Sequence, residues 1–238
     1  MAPRATSPTR HRGRSRRLVE GWTSLREDVI SAAHALAAAG LVTAFGHVSA
    51  REGEDGFLIT PPKPLGSLEP DEPLLEVSLA EDELPEGVPG EAWAHWAIYK
   101  SRPDVEGICR AQPPISTAVT SAGVAIRSLH GQGAFLGREV PIYDDARLIR
   151  GQEAGEALVG RLGDAGGIIM RGNGAVTVGS SVGTAVARMW VLEVSAEINR
   201  TAASAGTLQL LTEEEFSYWE SVSEEILERI WSYLKASK

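Results

Sequence analysis

Ile108-Cys109-Arg110-Ala111-Gln112-Pro113-Pro114 is a short apolar run that closes on polar side chains and two prolines. Gly107 to Ala111 reads as a strand, and Pro113-Pro114 ends it, because proline cannot donate to a ladder. Two other segments share this build. Glu91 opens an apolar helix behind Pro89-Gly90, and Arg171-Gly172-Asn173-Gly174 joins the runs Ile168-Ile169-Met170 and Ala175-Val176-Thr177-Val178. Polar groups beside Gly or Pro at the ends of apolar runs are how an α/β fold presents chemistry at the rim of a sheet.

Upstream of the quoted stretch, Ser24-x-x-Glu27 has the form of a capping box, and Gly40 supplies the stop of an Ala-rich helix. Gly46 to Arg51 and Phe57 to Thr60 predict a hairpin around Glu52-Gly53-Glu54-Asp55-Gly56. Pro61, Pro62, Pro64 and Gly66 force an irregular loop, and Leu74 to Leu79 reads as a strand. A helix is expected from Glu91 to Ser101, stopped before Pro103. Downstream, the pattern predicts a helix from Ile115 to Ser121, a strand at Val140 to Tyr143 and a helix from Gly151 to Leu162. Ser181 to Ala205 reads as a long helix, and Thr212-x-x-Glu215 opens a last one to Leu234. Alternating strands and helices without a repeat or linker imply one α/β domain over residues 20–238.

Composition narrows the function classes. With 43% hydrophobic and 23% charged residues, the chain is that of an ordinary globular protein. No apolar run is long enough to span a bilayer. Cys109 is the single cysteine, which excludes an internal disulfide framework and a zinc site of several thiolates. It suits a reducing cytoplasm and a buried role as a small hydrophobe. Net charge is −9, although the first 17 residues carry six arginines and no acid. Residues 1–19 are therefore expected to be a disordered basic tail on an acidic body. An acidic body speaks against binding a phosphate backbone.

The segments Gly46-His47-Val48-Ser49-Ala50-Arg51, Phe57-Leu58-Ile59-Thr60-Pro61, Glu91 with its helix to Tyr99-Lys100-Ser101-Arg102-Pro103, the Pro113-Pro114 strand end, and Arg171 to Gly179 occur in one order. As a colinear set the chain resembles the class II aldolase/adducin family from about Glu20 to Gly206. Gly46-His47-Val48-Ser49, Pro64 to Leu68, and Asp144 to Ile149 are most similar to a branch that includes decarboxylases of hydroxylated aromatic acids. The resemblance implies a central mixed, largely antiparallel sheet with helices on both faces. It also implies a homo-oligomer, usually a tetramer, with sites between subunits. Family enzymes bind a divalent metal through His-x-His before the proline and a third His in the later turn. Those places hold Arg110, Gln112 and Asn173 here, while the acid near the metal is kept as Glu91. Pro89-Gly90 replaces the phosphate-holding serines, so a sugar phosphate is not the expected substrate. Ile115 replaces a tyrosine that often follows the prolines.

Arginine has no lone pair for a metal and stays protonated. The expectation is therefore a site without metal or other cofactor. In it Arg110 supplies the positive charge that holds a carboxylate, phenolate or enolate oxygen. Glu91 and His130 are the candidates for moving a proton, His130 because imidazole titrates near neutrality. His47, Gln112, Asn173, Arg171 and Thr60 are the expected substrate-binding residues. The competing reading pairs Arg110 with Glu91 in a pocket that does nothing. The leading function is a metal-independent lyase acting on an anionic oxygenated small molecule, most plainly by decarboxylation. A metal-free aldol-type cyclase, isomerase or dehydratase is the second, and a non-catalytic adducin-like assembly protein the third.

Overall fold

The computed structural model describes residues 12–237, with side chains from Leu25 onward. Seven strands form one mixed sheet: β1 (His47–Glu52), β2 (Gly56–Ile59), β3 (Leu75–Ser78), β4 (Gly107–Ala111), β5 (Ile142–Tyr143), β6 (Gly167–Met170) and β7 (Gly174–Gly179). Their order across the sheet is β3-β2-β1-β4-β7-β6-β5. Every pairing is antiparallel except β5 with β6. The helices are α1 (Arg12–Ala38), α2 (Ala92–Ser101), α3 (Pro114–Ser121), α4 (Gln152–Leu162), α5 (Val182–Ala205), α6 (Glu213–Ser221) and α7 (Ser223–Ala236).

Alternation along the strands sorts the side chains into two layers. Val48, Ala50, Cys109, Ala111 and Ala175 point to one face and pack under α1, α5 and α7. Phe57, Ile59, Ile108, Val176 and Val178 point to the other, against Trp96 and Ile98 of α2 and Leu158 of α4. Both faces are covered, which explains the almost unbroken apolar runs of β4, β6 and β7. Cys109 is fully buried, and burial pushes its thiol up to about 12, so it is packing and not a nucleophile.

Three boundary expectations are corrected. α1 begins at Arg12 and runs through Ser24, so Ser24 is not its N-cap. The expected tail thus overlaps the helix from Arg12, and residues 1–11 lie outside the described residues. Arginine is a good helix former, so the basic stretch carries no stop signal. The Thr212–Glu215 capping box is formed in both directions, but the helix it opens ends at Ser221. A second helix starts at Ser223, and the break falls at Val222. The strand expected from Val140 is ordered as a ladder only at Ile142–Tyr143.

Candidate functional site

The rim of the sheet collects its polar groups where β1, β4 and the β6–β7 turn come together. His47 lies opposite Arg110 in the β1–β4 register, and Arg110 lies opposite Val176 in the β4–β7 register. Both polar side chains therefore emerge on the α2 face, next to Glu91 at the start of that helix. The turn is tight because Gly172 and Gly174 take φ of +72° and +96°, which favour glycine. That conformation brings Asn173 back toward β4.

Arg110 is only 2% exposed. Its Nη2 donates to the Asn173 side-chain oxygen at 2.8 Å and to the Asn173 carbonyl at 3.2 Å. Its Nε and Nη1 are buried without a partner, and so is the side-chain nitrogen of Asn173. Burial pulls the guanidinium pKa down, while the charge of Glu91 opposes that shift. Among the described residues no carboxylate lies within the 4.0 Å of an ion pair with Arg110. The inert Arg110–Glu91 pair is thus not what forms. A cleft of about 520 Å³ opens over these groups, lined among others by His47, Glu91, Arg110, Gln112 and Asn173.

Behind the cleft lies a buried polar line. Ser49 is hydrogen-bonded to His95 Nδ1 at 2.7 Å and to the Tyr99 hydroxyl at 2.9 Å. The rings of His47 and His95 stand 6.0 Å apart. His47 Nδ1 and His95 Nε2 are buried without partners. Burial first, then the Arg110 charge, lowers His47 to about 3. His95 falls well below the usual imidazole value through burial and the neighbouring His47 and Arg110. Both rings are neutral at pH 7.

Five expected site residues, Arg110, Glu91, His47, Gln112 and Asn173, share this cleft. Three others do not. His130 precedes a 3₁₀ turn (Gly131–Leu136), where it is half-buried and bonded to Ser195 of α5 at 3.0 Å. Its glycine neighbours serve packing, since a side chain at Gly131 would collide with Trp219. Thr60 is fully buried; its hydroxyl accepts from the Val48 N–H at 3.2 Å and ties β2 to β1. Arg171 points outward from the turn into an ion pair with Asp144. The cleft also holds residues that sequence reasoning missed: Lys63 and Arg150, with the apolar Phe45 and Leu148. Phe45 is 67% exposed, unusual for an aromatic side chain. Lys63 sits in the Pro61–Gly66 loop, whose composition signalled only irregularity.

The fold and this rim define a class II aldolase-type α/β domain. Residues 27–199 match the Class II Aldolase and Adducin N-terminal domain, and the chain belongs to that family. It is 29% identical to a 3,4-dihydroxyphthalate decarboxylase of Terrabacter sp. over 79% of this chain and 85% of that one. It is 29% identical to the enzyme of that name from Arthrobacter keyseri, over 76% and 79% respectively. The Rhodococcus jostii protein of the same name is 34% identical, over 53% of this chain and 55% of its own. Among solved structures, L-fuculose 1-phosphate aldolase from Glaciozyma antarctica superposes with a TM-score of 0.74 at 20% identity, covering 97% and 94% of the two chains. L-fuculose-1-phosphate aldolase from Thermus thermophilus has a TM-score of 0.67 at 29% identity, covering 77% and 98%. No helix among the described residues is long and apolar enough to cross a membrane.

Proposed function

We propose that this protein is a lyase that decarboxylates an anionic, hydroxylated aromatic acid, and that Arg110 takes the electrostatic place of a metal ion. The carrying observation is the buried guanidinium: Asn173 holds one nitrogen, and two more buried donors lack partners beside an open cleft. A buried cation in that state gains from an incoming oxyanion. At an effective dielectric near 20, an oxyanion about 4 Å away is worth roughly 4 kcal/mol before desolvation. Among the described residues no three His, Cys, Asp or Glu side chains gather as a metal site, and His47 and Glu91 are the only such groups in the cleft. Arginine offers no lone pair, and the Asn173 oxygen is already taken by Arg110.

Charge flow selects the pose. Carbon dioxide leaves neutral, so a cation on the departing carboxylate would stabilise the ground state more than the transition state. The substrate's hydroxyl oxygen therefore belongs on Arg110, because the electron pair of the breaking C–C bond moves into the ring and onto that oxygen. The carboxylate then falls toward Arg150, with Lys63 beside it already paired to Glu72 at 2.7 Å, and the ring toward Phe45 and Leu148. The relatives' name, 3,4-dihydroxyphthalate decarboxylase, describes a ring carrying hydroxyls and carboxylates of this kind. A homo-oligomer in a reducing cytoplasm belongs to the same proposal. Equilibrium sedimentation that finds only the 25.4 kDa chain would remove the oligomer.

The test is release of carbon dioxide from 3,4-dihydroxyphthalate by protein purified without chelator, before and after dialysis against EDTA, with metal analysis of the same sample. Turnover should survive EDTA, and Arg110→Ala should lower kcat by about 10²–10³-fold, the usual loss of an oxyanion donor. A stoichiometric transition metal needed for turnover, or an unaffected Arg110→Ala variant, ends the reading.

A further inference from the structure

With His130 bonded to α5 outside the cleft, the proton-moving group has to be found among the residues that line the cleft itself. Decarboxylation exchanges a carboxylate for a proton at a ring carbon, so the site needs a group that can both take and give one. His47 and Glu91 are the cleft's titratable candidates beside the cations Arg110, Arg150 and Lys63.

His47 has the better placement. Its backbone is fixed across β1 from Arg110, so a ligand oxygen held by the guanidinium lies beside the imidazole. Its ring lines the cleft at 6% exposure, with Nδ1 turned inward. Nε2 is then the nitrogen that can meet a ligand. The groups facing His47 are Arg110 from β4, His95 from α2 and, across the cleft, Glu91. His95 in turn is bonded to Ser49, which is itself bonded to the Tyr99 hydroxyl, so the wall behind His47 is rigid. Glu91, by contrast, caps no helix N–H with its side chain.

We propose that His47 is the catalytic proton carrier of this cleft. Neutral His47 takes the proton of the substrate hydroxyl at Nε2, leaving the oxygen as an anion on Arg110. The imidazolium then protonates the ring carbon that bears the carboxylate, and that oxygen becomes a carbonyl. As the C–C bond breaks, its electron pair restores the aromatic ring and returns negative charge to the oxygen on Arg110. Carbon dioxide departs, and His47 ends neutral. One proton has moved from oxygen to carbon, and solvent replaces it on the product hydroxyl. A ring held neutral by burial is a weak base but a strong acid once charged, which suits protonation of carbon.

This inference rests on the decarboxylase reading. Its test compares wild type, His47→Gln, His47→Asn and Glu91→Gln in two measurements: kcat for 3,4-dihydroxyphthalate, and calorimetric binding of phthalate, which lacks a hydroxyl and is not expected to turn over. Both His47 variants should lose at least about 100-fold in kcat. They should bind phthalate within about threefold of wild type, which certifies a folded cleft. A His47→Gln or His47→Asn variant that keeps kcat within about threefold, beside an active wild type, overturns His47 alone. So does a Glu91→Gln variant that takes the whole loss while His47→Gln takes none. A wild type that releases no carbon dioxide overturns the decarboxylase reading and the role of His47 with it.

Discussion

Arg110 and Asn173 are best understood as one unit, because each leaves donors unsatisfied that the other cannot take. Removing the Asn173 oxygen strips a buried guanidinium of its side-chain acceptor. Hydrogen bonds to charged groups are worth about 1.5–3 kcal/mol, so Asn173→Ala should destabilise by that amount in urea unfolding. Asn173→Asp should behave differently. A carboxylate would pair with Arg110 and satisfy the cation from within, so stability should hold while the KM for 3,4-dihydroxyphthalate rises at least tenfold. An equal KM for wild type and Asn173→Asp would mean that the substrate hydroxyl does not rest on Arg110. Arg110, Gln112 and Asn173 were legible as a group because glycine and proline mark the strand ends that carry them. Arg171 was misjudged for a local reason. It stands two positions before Asn173 in the same turn, yet it leans out to Asp144, a partner 27 residues away that periodicity cannot reveal.

At the scale of elements, the β6–β7 turn sets the depth of the site. A Cβ on Gly174 would sit 2.2 Å from the Ala111 carbonyl oxygen, at a φ of +96°. Backbone strain alone costs about 1–3 kcal/mol there, and the collision forces β4 and the turn apart. Gly174→Ala should therefore lose stability and, through displacement of Asn173, raise the KM for 3,4-dihydroxyphthalate. Gly53 in the β1–β2 hairpin is the control, since its φ of +63° meets open space. Gly53→Ala should cost only about 1–2 kcal/mol and leave binding intact. If the two variants show the same KM for 3,4-dihydroxyphthalate, the turn does not position the site. Most elements could be read from the sequence because their termini carry chemical marks: Pro114 in the first turn of α3, the Thr212 capping box, the glycines of the hairpins. The α6–α7 break carries none. Glu220 to Ser223 contains neither glycine nor proline, and the kink lets Trp219 pack over Gly131 while Trp231 packs against Gly183. Such a break comes from tertiary packing, not from local preference.

Across the whole molecule, the sheet hides its titratable groups unevenly, and this sets an acid limit on stability. What the sequence could not supply was which loops meet which strands; His130 stands beside glycine and His95 on an apolar helix, and only the layer order sends one to α5 and the other behind the cleft. His95 and His47 are buried neutral, with pKa values held below the ordinary 6.5. The unfolded chain binds their protons below about pH 6.5, whereas the folded one does not, so stability rises with pH and is lost on acidification. Each group contributes about 1.4 kcal/mol per pH unit in that window. Together they should cost on the order of 4 kcal/mol between pH 7 and pH 5. Carboxylates lowered by their partners, such as Asp104 beside Arg102, act in the same direction at lower pH. Glu52, raised by burial and by Glu76, acts weakly against them. Urea unfolding at pH 7, 6 and 5 reads this slope directly. His130, lowered by its partial burial, adds in the same direction, so His95→Gln removes one of three such protons and its slope should fall by about a third to a half. A wild-type stability that stays level from pH 7 to pH 5 would mean that His47 and His95 are not held neutral by burial, and that the wall proposed for His47 does not exist.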